Sequence, residues 1–488
     1  DDLLPHLRLR QRRQMRIAFV HSFPQEYHGI MYLAAALKAA GHECEVFVTS
    51  LEKNILGELA RFAPRLVGFS CTTGEHLAMA RLAGRVRREL GAMTVFGGAH
   101  ATVCPEIVEH EGVDAVCVGE GEDALCELAA VLERNGEIAE IRNLWVKRGG
   151  AVVKNEPRPL REDLESLPRP DWSLYYKYRF LREKTTKTFI GSRGCPFRCT
   201  FCTDPYFQSL YRGKGRYLRM RAPRSFAAEI REQKEILRFD TVTFDDEVFV
   251  WNRDWLREFL PLYRREVGLP FFCGVRADTL TEEIVGELRE AGCYGMSFGV
   301  ESGSEFVRNE IGGKGISNEQ IVSAARWVKA RGIILRTTSM FCMPGETPAR
   351  AWETVRLNVD CRVDHPFAYV YQPLPKTGMY DYAKARGYLG DGFNFDRLEP
   401  LHLGDNPLRL ERKGEILNIQ KLFYLAVRHP RLIPLLRLLV KLPPNPLFNG
   451  IFKICLVRNY SRYKKLGLRK TLAIALKTRG IAQEVEPL

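Results

Sequence analysis

The strongest constraint on how this chain can fold is an alternation of short apolar runs with helical stretches, which occurs twice and is broken once by a segment dense in proline. The first series reads RIAFV, ECEVFV, LVGFS, TVFGG and AVCVGEG, with helical periodicity over Tyr32–Ala40, Ile55–Phe62, His76–Leu90 and Pro105–His110. Apolar runs of this length between helices predict strands buried on both faces, hence a doubly wound, flavodoxin/Rossmann-like parallel α/β sheet over residues 15–150. The second series, over 187–390, reads TFIGSRGC, TVTFDDE, FFCGVRADT, GMSFGVESG, ILRTTSMFCMPGE and FAYVYQPLP. Its helical spacers include Ser225–Leu237, Glu282–Ala291 and Asn318–Ala330. Six βα units predict a partial (β/α)6 barrel with its chemistry at the C-terminal strand ends. Between the two series, Pro157, Pro159, Pro168 and Pro170 break both helix and central strand, so 151–186 reads as a linker.

Both ends differ from these cores. Residues 1–14 are charged, lack the apolar run of a secretory signal and read as a flexible extension. Residues 391–488 read as a basic, mainly helical region: Pro407–Gly480 holds 17 Lys or Arg against 2 Glu, which accounts for the whole net charge of +14. Its apolar run, Leu432–Val457, is interrupted by Arg437, Lys441, Pro443, Pro444 and Pro446, short of the roughly 18–20 residues of a membrane span. The chain has thirteen cysteines. A core of this size needs no disulfide staples, so a reducing cytoplasm is expected, with ten of the thiols serving as small buried apolar groups.

The other three stand together in Cys195-Pro-Phe-Arg-Cys199-Thr-Phe-Cys202. Thiols this close can wrap soft metal. Structural zinc wants four closed ligands, and no second Cys or His pair stands near this loop. Three cysteines on a four-iron cluster instead leave one iron open for a small molecule. With its aromatic residue before the third cysteine and its place after the first barrel strand, the motif resembles the radical S-adenosylmethionine (SAM) superfamily. That resemblance implies a [4Fe–4S] cluster on Cys195, Cys199 and Cys202, with SAM on the open iron. It also implies Phe201 beside the adenine, Glu301 near SAM's polar groups and Arg336 near its carboxylate. Asp245, Asp246 and Arg276, which end the second and third strands, are candidates to face SAM or substrate and to serve catalysis.

In the first domain the strand-end loops are Ser70-Cys71-Thr72-Thr73, Gly97-Gly98-Ala99-His100 and Gly119-Glu120-Gly121-Glu122. Glycine there lets a large ligand approach the backbone. The order SxxT, GGAHAT followed by Pro105-Glu106, then VD(x)4GEGE, upstream of the cysteine motif, resembles the cobalamin-binding domain of class B radical SAM methyltransferases. The resemblance implies cobalamin held by Ser70, Thr73, Gly97, Gly98, Gly119, Glu120, Gly121 and Glu122. Domains that supply a lower axial histidine carry Asp-x-His-x-x-Gly, which Glu26-Tyr27-His28-Gly29 only mimics. His28 and His100 are accordingly read as structural.

Together these resemblances imply two uses of SAM. One methylates cob(I)alamin, and the other generates a 5′-deoxyadenosyl radical that strips hydrogen from an unactivated carbon before methyl transfer. The family's cyclases and rearrangement enzymes, which act without methyl transfer, share the same motifs. A tRNA methylthiotransferase would need its own three-cysteine cluster in the first domain, and no such set is visible, which argues against nucleic acid. A cobalamin carrier would not need CxxxCxxC. Expected partners are a small-molecule or lipid substrate and an electron donor such as flavodoxin or ferredoxin. The basic C-terminal region reads either as a barrel cap or as a surface for peripheral contact with the inner face of the membrane.

Overall fold

The computed structural model describes residues 14–398 and 403–463. The extension expected at 1–14 lies outside the described residues except for its last position, as does the basic tail from 464 onward. Two compact units divide the chain. One takes in the described residues up to Thr72 with His76–Arg158 and Ser166–Tyr178. The other takes in Thr73–Glu75, Pro159–Glu165 and the described residues from Arg179.

The first unit is built on a seven-stranded sheet. Its strands are β1 (Arg16–His21), β2 (Glu43–Val48), β3 (Leu66–Ser70), β4 (Met93–Gly97), β5 (Ala115–Cys117), β6 (Leu144–Arg148) and β7 (Ala151–Lys154), in the order β2-β1-β3-β4-β5-β6-β7. β1 to β5 pair in parallel and are almost wholly buried, as strands covered on both faces must be. β6 and β7 form an antiparallel hairpin that turns at Gly149 and Gly150, with φ of +57° and +84°. Regular structure thus runs past the expected boundary at 150.

Residues 155–186, expected to be a linker, are also largely packed. Trp172, Tyr175 and Tyr178 are buried. The Tyr175 hydroxyl pairs with His21 Nε2 at 3.0 Å, and the Tyr178 hydroxyl accepts from the Val48 amide at 2.9 Å. Proline bars a segment from a sheet interior but not from lying along a surface on aromatic anchors.

The second unit centres on six parallel strands: β8 (Thr186–Phe189), then β11 (Thr241–Phe244), β12 (Phe271–Val275), β13 (Cys293–Glu301), β14 (Ile334–Phe341) and β15 (His365–Val370), hydrogen-bonded in that order. A short antiparallel pair, β9 (Ser192–Arg193) with β10 (Arg219–Met220), lies apart from them. The intervening helices start on side-chain caps: Thr281 Oγ1 accepts from Ile284 N, Ser317 and Gln320 form a capping box, and Thr347 accepts from Arg350 N.

β14 shows which face looks inward. Thr337 and Ser339 bond Asn358 on the helix Pro348–Asp360, so Arg336, Thr338 and Met340 point to the opposite, concave face. The described C-terminal helices pack onto the second unit. Ile416, Ile419, Leu422 and Phe423 pack against Phe341, Val355 and Val370. Gln420 and Asn459 donate to the Ala368 and Pro366 carbonyls, satisfying part of the edge that β15 presents.

Candidate active site

The cysteine loop follows β8 and runs into the helix Asp204–Leu210. It enters at Gly194, whose φ is +89° and where a Cβ would lie 2.6 Å from the Tyr217 carbonyl, so only glycine fits. Gln208 Nε2 donates to the Cys195 and Phe197 carbonyls at 2.8 and 2.9 Å. Thr200 is held from three sides: its amide and hydroxyl donate to Gly312 O and Ile311 O, and its carbonyl accepts from Met379 N at 2.8 Å. The loop is therefore shaped by bonds independent of any bound group.

Cys195, Cys199 and Cys202 are half-buried on this loop. Burial pushes the Cys195 thiol up to about 11 and the Cys202 thiol higher still, so a metal would have to displace their protons. The Asp204 amide donates to Cys202 Sγ at 3.5 Å, and Arg276 Nη1 donates to Cys199 Sγ at 3.3 Å. Three soft thiols with N–H donors aimed at two of them fit an iron–sulfur cluster, whose sulfurs need such bonds. Among the described residues no three His, Cys, Asp or Glu side chains stand close enough to share one metal ion.

The strand-end candidates separate into distinct settings. Asp245 is exposed at the end of β11. Asp246 is buried and pins the approach to the cysteine loop, with Oδ1 accepting from Gly191 N at 3.0 Å and from the Ser192 hydroxyl. Burial, opposed by those bonds, raises its carboxyl to about 6. Arg276 is buried and engaged with the cysteine loop itself. Glu301, in the left-handed region at φ +59°, pairs with Lys314 Nζ at 2.7 Å. Phe201 packs with Val307, Ile311, Met343, Tyr371 and Met379. Arg336 does not sit with Glu301 at the strand ends. It is the third residue of the eight-residue β14, in register with Ser297, and its guanidinium lies over Phe272 and Phe367 at 5.7 and 5.4 Å.

Two buried groups were given no role by the sequence reading. Lys314 also donates to Gly299 O at 2.6 Å, and its only signal is its place between glycines in Gly312-Gly313-Lys314-Gly315. Glu346, in the turn after β14, accepts from the Met343 amide at 3.2 Å, and burial pushes its carboxyl up to about 8.

In the first unit, Ser70 ends β3, Gly97 ends β4, and the Gly119–Glu122 loop follows β5, so all stand at C-terminal ends of parallel strands. Thr73, in the loop after β3, is counted with the second unit. Of the expected loop Gly97–His100, the last three residues open the helix Gly98–Val103, and Glu122 opens the helix Glu122–Glu133 with Gly121 as its N-cap. Gly98 has φ +87°, and a Cβ there would come within 3.0 Å of Ser70 Oγ; at Gly97 a Cβ would meet nothing within 4 Å. Gly97 thus borders open space where a ligand can reach the backbone.

Thr102, which the sequence did not single out, ties two loops together. Its hydroxyl donates to Gly98 O at 2.9 Å and accepts from Gly119 N at 3.1 Å. His100 is buried in a stack with His76 at 4.0 Å, and His28 meets Trp172 edge-on at 5.6 Å, in keeping with packing roles. A glycine-lined cradle with fixed backbone suits a bulky, flat-faced group such as cobalamin.

Comparison with known proteins matches residues 18–129 to the B12 binding domain and residues 189–357 to the Radical SAM superfamily. A Pyrococcus horikoshii protein named an uncharacterized methyltransferase is 27% identical over 377 residues, which are 74% of this chain and 79% of that one. The anaerobic magnesium-protoporphyrin IX monomethyl ester cyclase of Rubrivivax gelatinosus is 24% identical over 445 residues, 84% of this chain and 78% of that one. Among solved structures, the radical SAM methyltransferase TsrM of Kitasatospora setae, with cobalamin and a [4Fe–4S] cluster bound, superposes with a TM-score of 0.63 at 21% identity. That match covers 82% of this chain and 85% of that chain, and it is a likeness of fold.

Proposed function

The chain belongs to the cobalamin-binding radical SAM enzymes, and from that premise we propose that it methylates an unactivated carbon of a small-molecule or lipid substrate. The observation that carries the reading is the cysteine loop, pre-shaped at the strand ends of an open parallel sheet, in a chain that also carries the glycine-bordered B12 unit. When bound, the cluster and SAM supply a 5′-deoxyadenosyl radical and cobalamin supplies the methyl group.

In this reading Cys195, Cys199 and Cys202 hold the cluster and leave one iron for SAM. Phe201, on its apolar cluster, offers a flat wall for the adenine, and Glu301 with Lys314 forms a charged pair for polar groups. Arg336 meets SAM's carboxylate only if the ligand reaches its depth on the concave face. Gly97, Gly98, Gly119 and Gly121 let cobalamin approach the backbone, with Ser70, Thr73, Glu120 and Glu122 as polar neighbours. Asp246 and Arg276 act on the loop rather than on substrate. The electron enters from a flavodoxin or ferredoxin in a reducing cytoplasm.

The test is anaerobic. Iron-reconstituted protein is incubated with SAM, reductant and hydroxocobalamin, following 5′-deoxyadenosine, S-adenosylhomocysteine and bound cobalamin together. Both SAM products with stoichiometric cobalamin support methyl transfer. Formation of 5′-deoxyadenosine without S-adenosylhomocysteine, with candidate substrates present, replaces it with a cyclase-type reaction. The cyclase match, which reaches over more of this chain than the Pyrococcus match, keeps that second reading in play.

Peripheral membrane contact belongs to the same proposal. No described helix is long and apolar enough to cross a membrane. Leu432, Leu435, Leu438, Leu442, Leu447 and Ile454 are nonetheless exposed, and 428–463 holds seven Lys or Arg and no Asp or Glu. Exposed leucine flanked by cations suits an anionic lipid surface. Co-sedimentation with anionic but not zwitterionic vesicles, lost in Leu435→Glu/Leu438→Glu, is the expected result; equal behaviour with both vesicle types would remove this part of the proposal.

A further inference from the structure

Arg276 directly follows β12, a strand-end position that made it a candidate to face SAM or substrate. The geometry points elsewhere: we propose that Arg276 is a positioning residue for the cluster, holding the Cys199 thiolate and stabilising the reduced cluster by donating an N–H and placing a buried positive charge beside it. This inference rests on the assignment of Cys199 as a cluster ligand.

Three anchors fix the guanidinium before any cluster is considered. Nε donates to Asp278 Oδ1 at 2.8 Å, Nη2 donates to the Lys314 carbonyl, and the planar group lies over the Phe197 ring at 3.9 Å from its centroid. With those commitments made, Nη1 is left aimed at Cys199 Sγ at 3.3 Å. Phe197 belongs to the cysteine loop and Lys314 to the segment between the helices Phe306–Ile311 and Asn318–Ala330, so one side chain ties both to the end of β12. An arginine fork bound at this many points is pre-organised, and a lysine could not reproduce it.

The electrostatic consequence has a definite sign. Reduction adds negative charge to the cluster, and a nearby cation with an N–H···S bond favours the reduced state. Arg276 is only 8% exposed, so water screens it little. Asp278 offsets part of its charge but faces Nε, the side away from the sulfur-directed Nη1. Cys202 stands in contrast: beside it lies the Asp204 carboxylate, and its N–H donor is a neutral backbone amide. The loop therefore carries a charge-assisted donor at Cys199, and losing it should make the cluster harder to reduce.

The experiment measures the midpoint potential and the reduced-state EPR spectrum of the reconstituted holoprotein for wild type, Arg276→Gln, Arg276→Lys and Asp278→Asn, with iron content and cobalamin binding recorded in each. The expected result is a lowered midpoint in Arg276→Gln, about tenfold in the one-electron equilibrium or about 59 mV, with an altered EPR line shape. Arg276→Lys, which keeps the charge but not the fork, falls between. Asp278→Asn removes the offsetting carboxylate while Phe197 and Lys314 still hold the guanidinium, so its midpoint rises or holds. An Arg276→Gln protein with wild-type iron, cobalamin binding, midpoint and spectrum overturns the proposal. If Arg276→Gln holds no cluster, Arg276→Lys decides, and an unshifted midpoint and spectrum there overturns it equally. A wild-type chain that takes up no iron, or a Cys199→Ser variant that keeps its full cluster, overturns the cysteine assignment instead and is recognised by the iron content alone.

Discussion

The cysteine loop and the glycine loops do comparable work by opposite means. In the second unit the reactive groups are side chains, and the surrounding fold is spent on fixing one short loop: Gln208, Ile311, Asp246 and Arg276 all bond to it or to its approach. In the first unit the presenting groups are backbone, and what matters is the lack of side chains at Gly97 and Gly98 and one hydroxyl, Thr102, that ties Gly98 to Gly119. A side-chain site fails when a ligand atom is removed. A backbone site fails when an atom is added.

The largest effect should come from removing a thiolate. Cys195→Ser, Cys199→Ser or Cys202→Ser should lose most cluster iron and bring 5′-deoxyadenosine formation to background while cobalamin still binds; retained iron and SAM cleavage would falsify the assignment.

Next comes Glu346→Gln, a side chain serving backbone within the second unit. The Glu346 carboxyl titrates near 4.5 when unfolded but near 8 in the fold, because burial disfavours its charge. Native protein thus binds the extra proton between those values. The carboxyl's contribution to stability is fully present below about 4.5 and is lost as pH rises toward 8. The glutamine variant should lack that decline and gain on the order of a few kcal/mol over wild type above pH 8, read from denaturant unfolding across pH. Parallel pH profiles would show that the carboxyl is not held neutral.

Added atoms in the glycine cradle should act more mildly. Gly98→Ala forces a side chain into φ > 0 at about 1–2 kcal/mol, so cobalamin affinity should fall by roughly tenfold, with iron content unchanged. Gly97→Ala is the sharper probe. Its Cβ meets nothing in the protein, so stability should hold within about 0.5 kcal/mol while cobalamin binding weakens. Unchanged binding there would move the cofactor away from β4. The smallest effect is expected for Thr102→Val: about 1–2 kcal/mol of stability from two lost bonds, and a few-fold loss of cobalamin affinity seen by equilibrium dialysis.

Much of this was legible in the chain itself. The helices Ile55–Phe62, His76–Leu90 and Asn318–Ala330 fall where their periodicity puts them, because amphipathic spacing and caps are local properties. The CxxxCxxC spacing marks one loop with soft donors whatever the tertiary structure. Less legible were segments whose fate depends on distant partners. The helix Gly98–Val103 carries Thr102, which bonds across to Gly119, and the proline-rich segment packs through buried Trp172, Tyr175 and Tyr178.

What the sequence determined by itself was the inventory: two parallel α/β units, three thiols on one loop, glycines at strand ends and a basic C-terminal region. Register, depth and pairing were decided by tertiary structure, since they depend on which strands become neighbours. Strand pairing put Arg336 mid-strand, beside Ser297, and the segment after the helix Phe306–Ile311 brought Lys314 against Glu301. It also set Arg276, a candidate to face SAM or substrate, beside the cysteine loop, with Nε and Nη2 held by Asp278 and the Lys314 carbonyl and Nη1 donating to Cys199 Sγ.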